Sequence, residues 1–285
     1  MKNYIIITLI MVLTLVVLEF QSIGTEATTS KMSTLSEFVH PDTVPPESWE
    51  AKWIGIAPPS NSNQWTCFRK TFLVGRVPAK AVARIAVDSK YWLWLNGKLV
   101  VREGGLKRGP TPSDTYFDDV DLTSQLPAGT NTLAILVWLI GKDGFSHNSS
   151  GQSALLFQLE TGDLKIFSDS SWKADIHPAF ANTGVPHPNF RLPESNIRFD
   201  ATHDFAEDWR DPGFADKTWP DAVEFGQPDC EPWNRLARRP IPFWKDYGLM
   251  PYVNAAELPR VSDGRSIKAR LPYNAQVTPY LKVEA

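Results

Sequence analysis

The sequence predicts an all-β protein: an antiparallel β-sandwich wrapped by long Pro- and Trp-rich loops. Three observations point there. Strand-length apolar runs alternate with turn signals between residues 49 and 167, the spacing expected of a sandwich. No window of comparable length sustains a 3.6-residue apolar period. The 23 Pro and 17 Gly also interrupt the chain too often for a helical bundle, while 11 Trp supply large faces for sheet packing. The charge balance, 29 Lys+Arg against 32 Asp+Glu for a net −3, lacks the basic excess of a dedicated nucleic-acid binder, so no nucleic-acid partner is expected.

The chain opens with a leader. Lys2 supplies a positive start, residues 4–18 are almost unbroken apolar, and Ser22-Ile-Gly24 places small residues at a cleavage site. This is the layout of a secretory signal peptide over 1–24. Its apolar run is short of the roughly 20 residues needed to cross a bilayer, so no stable membrane span is expected after cleavage. The expected destination is periplasmic or extracellular. There a disulfide between Cys67 and Cys230 would be permitted, and neither cysteine has the spacing of a zinc site or a redox pair. Residues 25–48, with Pro41, Pro45 and Pro46, read as an extended linker.

From there the elements follow in order. Residues 67–72 alternate, placing Phe68 and Phe72 on one face. Residues 83–88 form a second strand and 91–95 a third, closed by Asn96-Gly97, the dipeptide of a type I′ hairpin, with 98–102 returning. Strands are further expected at 117–122, at 132–140 (the strongest apolar run), and at 154–159 and 164–167 around Thr161-Gly-Asp163. After Ser168 the chain is dense in Pro, Asp, Asn and Trp and reads as loops pinned on the core by Trp172, Trp209, Trp219, Trp233 and Trp244. The sandwich with its wrap is thus assigned to 49–240. Residues 241–285 are assigned to a connector and the first strands of a truncated second β domain, with 276–283 strand-like.

Candidate binding residues come from strand alternation and from two loops. Tyr91, Leu93 and Leu95 share one face of their strand, and Trp92 and Trp94 the other. With the leucines inward, the tryptophans form a platform for the apolar face of a sugar; the alternative is that both faces are covered. The Gly-rich loop after residue 102 offers Glu103, Lys107 and Arg108 and runs into Asp114 and Tyr116. Trp138, on the strongest apolar strand, is a further candidate sugar contact, and the loop that follows it offers Asp143 and His147. These groups suit sugar hydroxyls or a uronate; the alternative is an internal network of ion pairs and turns. Asp118, Asp119 and Asp121 cluster, but strand alternation splays the first two, so calcium remains a candidate without assigned ligands and no other cofactor is expected.

Several motifs, in a fixed order, carry a family resemblance. Trp65-x-x-Phe-Arg-Lys-Thr-Phe72 and Tyr91-Trp-Leu-Trp-Leu-Asn-Gly-Lys98 resemble the opening strand and central hairpin of the galactose-binding-like jelly roll at the front of many glycoside hydrolases. Leu126-x-x-Gly-x-Asn-Thr-Leu-Ala134, Ser168-Asp-x-Ser-Trp-Lys173, Glu194-Ser-Asn-Ile-Arg-Phe-Asp-Ala201 and Trp209-x-x-Pro-Gly-Phe-Ala-Asp-Lys-Thr-Trp-Pro220 continue the order. The arrangement is similar to the N-terminal region of bacterial α-L-rhamnosidases. The resemblance implies that the catalytic carboxylates lie in an (α/α)6 barrel that this sequence lacks, so no catalytic residue is assigned. Three readings result. The first is a non-catalytic recognition or scaffold module for rhamnose-containing glycans, with a separate barrel chain as a candidate partner. The second is the front of a complete rhamnosidase, and the third a purely structural sandwich.

Overall fold

The computed structural model describes residues 48–57, 59–105, 109–144, 148–181, 197–245, 247–261 and 264–274. The signal-peptide and linker assignments, and the strand expected at 276–283, lie outside these residues. Twelve strands occur among those described: β1 (Trp53–Gly55), β2 (Gln64–Val74), β3 (Val82–Asp88), β4 (Lys90–Leu95), β5 (Lys98–Gly105), β6 (Thr115–Asp121), β7 (Gly129–Leu139), β8 (Ala154–Thr161), β9 (Leu164–Phe167), β10 (Lys173–Ile176), β11 (Val223–Gly226) and β12 (Leu236–Arg238). Every strand expected between residues 67 and 167 is present. At the β4–β5 turn Asn96 and Gly97 have φ of 52° and 76°, the paired positive values that a type I′ turn demands. No described helix is long and apolar enough to cross a membrane.

Two sheets face one another. One has five strands in the order β10-β2-β7-β4-β5; the other has seven, β11-β1-β8-β3-β6-β12, with β9 paired to β8. The departure from antiparallel order is β12, which runs parallel to β6. Between the sheets Phe68, Phe72, Leu93 and Ile135 from the first pack in one core with Ile85, Leu155 and Phe157 from the second.

Each outer face is also covered, as the second alternative held. On the five-stranded sheet Trp65, Cys67, Trp94, Leu136 and Trp138 pack with Trp209 and Trp219 of the wrap. On the seven-stranded sheet Trp53, Ala86, Leu156 and Phe117 pack with Trp233. A strand buried on both faces has no polar side to show, which is why β7 is buried without a break from Asn131 to its end. The two cysteines are free, and they sit in the two different outer clusters, with the sandwich between them.

Trp172, Trp209, Trp219 and Trp233 are at most 5% exposed and pin the wrap as expected. Trp244 does not: it is 76% exposed, because no described element packs over it. From 241 to 274 the described residues form no strand, only a short 3-10 turn at Ala255–Glu257.

What holds the wrap down is Arg69, on the outer face of β2 and 1% exposed. Its Nε donates to Asp216 Oδ2 at 3.0 Å, and its terminal nitrogens donate to the carbonyls of Trp209, of Asp211 at 3.2 Å and of Phe214 at 3.5 Å. Removing one partner of a buried, hydrogen-bonded charge leaves the others unsatisfied. Arg69→Met is therefore expected to cost about 3 kcal/mol of folding stability in denaturant unfolding. A loss indistinguishable from that of an exposed Arg76→Met control would show that the wrap is held by other contacts.

Candidate functional site

Alternation along β4 puts Trp92 and Trp94 on the outer face of the five-stranded sheet, opposite Leu93 and Leu95, which face the core. Trp65 of β2 joins them from across β7, its ring 5.5 Å from that of Trp92. These tryptophans floor a cleft of about 740 Å³. Its far wall comes from the wrap. Phe180 stacks on Trp65 at 3.9 Å and 10°, and Trp209 meets Trp94 edge-on at 5.8 Å. The wall thus closes over part of the aromatic face and leaves half-buried Trp92 accessible.

The rim is charged. Arg102 and Glu103 reach it from β5, and Asp204, Glu207, Asp208 and Arg210 from the wrap. Arg210 lies over the Trp94 ring at 5.4 Å and grips Asp208 through two bonds, Nε to Oδ1 at 2.6 Å and a terminal nitrogen to Oδ2 at 2.7 Å. Hydrogen bonds from Arg210 hold the Asp208 carboxyl below the usual carboxylate range, so it stays ionised and is no proton donor near neutrality. Lys90 Nζ sits 3.5 Å from Glu103.

Among the described residues lining the cleft, His177 is the polar side chain that is buried, at 5% exposure. The edge-to-face rings of Phe180 at 4.9 Å and Phe205 at 5.1 Å enclose it. Its Nδ1 accepts the backbone N–H of Ala179 at 3.3 Å, which leaves the proton of the neutral ring on Nε2. Burial lowers its pKa below the ordinary imidazole value of 6.5; Asp204 opposes that shift and Arg210 adds to it.

Of the residues singled out from sequence, the cleft brings together Trp92, Trp94 and Glu103. Trp138 belongs to the interior rather than to a sugar surface. It is 1% exposed because Trp65 stacks on it at 4.7 Å, and its Nε1 donates to Asn63 Oδ1 at 2.7 Å. Asp114 and Tyr116 belong to the other sheet's end. Asp114 is 7% exposed with Arg235 at 3.4 Å, and Tyr116 pairs with Ala237 of β12, which is the internal network of the alternative reading. Asp143 is exposed and accepts the Ser149 N–H at 2.8 Å. Lys107, Arg108 and His147 lie outside the described residues. Asp118, Asp119 and Asp121 have separate partners: Tyr91 and Arg239, Arg238, and Thr123. No group of three or more His, Cys, Asp or Glu placed to hold a metal occurs among the described residues. Sequence reasoning missed Trp65, Arg102, His177, Phe180, Phe205 and Arg210. The signal was present in the aromatic spacing of Phe205 and Trp209 with acids between them, but it reads equally as packing.

No family profile matches the sequence. A curated relative, an alpha-L-rhamnosidase of Streptomyces avermitilis, is 24% identical over 223 residues, which make up 66% of this chain and 17% of the relative. Among solved structures, a GH78 family rhamnosidase of Bacillus sp. GL1 aligns with a TM-score of 0.59 and 28% identity, over 69% of this chain and 20% of that one. An α-L-rhamnosidase of Aspergillus terreus aligns with a TM-score of 0.51 and 21% identity, over 66% of this chain and 22% of its own, and shares the fold. The chain thus spans about a fifth of the length of the rhamnosidases it matches, and its sandwich is similar to part of theirs.

The lowered pKa of His177 has a consequence for stability. Above 6.5 the ring is neutral both folded and unfolded; below it the unfolded chain takes up a proton that the folded one resists, so stability falls as pH falls through that value. Unfolding free energies measured between pH 5 and 7, a window of about two units around that value, should fall more steeply for the wild type than for His177→Asn. Parallel curves for the two proteins would refute the burial of a neutral imidazole.

Proposed function

We propose that this rhamnosidase-related sandwich is a non-catalytic carbohydrate-recognition and scaffold module whose Trp92–Trp94 cleft takes a rhamnose-containing glycan. The observation that carries the reading is the pairing of an open aromatic floor with a charged rim within one cleft. Sugars offer apolar C–H faces that stack on indole rings and hydroxyls that pair with fixed polar groups. The cleft presents the first at half-buried Trp92, backed by the buried rings of Trp65 and Trp94, and the second at Arg102, Glu103, Asp204 and Arg210. Rhamnose is suggested by the named activity of the relatives, whose hydrolytic step we assign to a catalytic region other than this sandwich. Glycoside hydrolysis needs two carboxyl groups, one of them protonated to serve as general acid; the Asp208 carboxyl, held ionised by Arg210, does not fit that role. We further place the protein outside the cytoplasm, on the strength of the leader over 1–24.

The test is a titration of the purified chain with L-rhamnose, galactose and rhamnose-containing polysaccharide, followed by Trp fluorescence and calorimetry. A rhamnose-bearing ligand should bind, and Trp92→Ala should weaken it roughly tenfold with an unchanged far-UV spectrum. A folded protein that responds to no glycan favours the purely structural reading instead.

A further inference from the structure

The cleft has an oriented donor and an acceptor that do not satisfy each other. His177 Nε2 lies 3.7 Å from Asp204 Oδ1, beyond a hydrogen bond. The imidazole cannot turn to close that gap. Its Nδ1 is held by the Ala179 N–H at 3.3 Å, its edges are boxed by Phe180 and Phe205, and its own backbone N–H donates to the Trp65 carbonyl at 3.0 Å. Asp204 is anchored as well, its Oδ1 accepting the Phe205 N–H at 2.8 Å and its backbone N–H closing the turn on Ala201. A ligand hydroxyl both accepts and donates, so a single one can serve both atoms. An oxygen about 2.8 Å from each atom, an ordinary hydroxyl distance, fits over a 3.7 Å base.

We infer that His177 and Asp204 together read a single hydroxyl of the bound glycan: His177 Nε2–H donates to its oxygen, and its own proton goes to Asp204 Oδ1. This rests on the cleft being the carbohydrate site proposed above. The donor sits among aromatic rings, so a bound ligand that covers it without offering that hydroxyl leaves it unpaired. Sites built to bond a hydroxyl discriminate strongly against the analogue without one for that reason. The tryptophan floor, by contrast, accepts any ring with an apolar face. Affinity then comes from the floor, and selectivity from the His177–Asp204 pair.

The test uses methyl α-L-rhamnopyranoside and its monodeoxy derivatives, each lacking one ring hydroxyl, titrated calorimetrically into the wild type, His177→Phe and Asp204→Ala. The first variant keeps a ring in the aromatic box; the second alters an exposed side chain, so at least one folded variant is available. In the wild type one deoxy derivative should bind about tenfold more weakly than its parent. In either variant the gap between that derivative and its parent should shrink, because one of the hydroxyl's two contacts is already gone. If every deoxy derivative loses affinity equally in wild type and variants, the assignment of His177 and Asp204 is overturned while the recognition reading stands. If the wild type binds neither the parent glycoside nor any rhamnose-containing glycan, the recognition reading itself falls, and this inference with it.

Discussion

One buried guanidinium organises the cleft-bearing face of this protein. Arg69 projects from β2 beside Ala134 of β7, its register partner, whose small side chain leaves room for an arginine to lie against the sheet. A buried charge is tolerated only when its hydrogen-bonding capacity is filled, and here three backbone carbonyls and one carboxylate of the wrap fill it. Carbonyls of residues 209, 211 and 214 can converge on one group only if the chain curls around it. That curl sets Trp209 and Trp219 down on the outer aromatic cluster, with Phe214 under the guanidinium at 5.2 Å. The Trp209 side of the far wall is therefore tied to satisfying one arginine.

A second polar hub fixes the opposite rim. Asp118 of β6 accepts from Tyr91 Oη at 2.9 Å, from the Gly105 N–H at 2.8 Å and from Arg239. Those partners sit on β4, at the end of β5 and in the crossing segment after β12, so one carboxylate ties the two sheets together. Burial, and then Asp118, push the Tyr91 phenol well above its ordinary pKa, which keeps it protonated as a donor. The approach is close enough to dictate sequence: a Cβ at Gly104 would lie 2.2 Å from the Tyr91 ring. With that end of β5 clamped, Glu103 holds a φ of 53° and reaches the cleft beside Arg102. Wall and rim thus depend on buried charged side chains rather than on apolar contact alone.

Much of this was legible in the sequence, and the failures have identifiable causes. Period-two alternation is a property of the strand itself, so β2, β4 and the Asn96-Gly97 turn could be read locally, as could the outward phase of Trp92 and Trp94. Burial on an outer face is a property of whatever lies over it. Trp138 and Trp65 are register partners on the same face, yet Trp65 lines the cleft while Trp138 is covered by it. Nothing near either residue distinguishes the two. His177 was invisible for a related reason: the groups that make it notable, Phe205 and Asp204, lie 28 and 27 residues further along the chain and reach it only in the folded wrap. Trp244 shows the converse, an aromatic residue read as a pin in a segment with nothing above it.

The incomplete closure of the aromatic face then needs its own account. If the wrap served stability alone, burying the remaining indole surface would gain about 25 cal/mol per Å², and any large aliphatic side chain from 204–210 could supply it. Instead that stretch presents Asp204, Glu207, Asp208 and Arg210 to the cleft. Arg210 covers Trp94 with a cation's face while its ends are held by Asp208, an arrangement that shields the ring without filling the space beside it. Nor is sheet-edge protection sufficient reason: among the described residues β5 pairs only with β4, and it already carries exposed Lys98 and Arg102, charges that discourage edge-to-edge pairing. A charged rim around an unfilled apolar floor costs burial that the fold had within reach, and the side chains that forgo it are those best placed to meet a ligand with one apolar face and several hydroxyls.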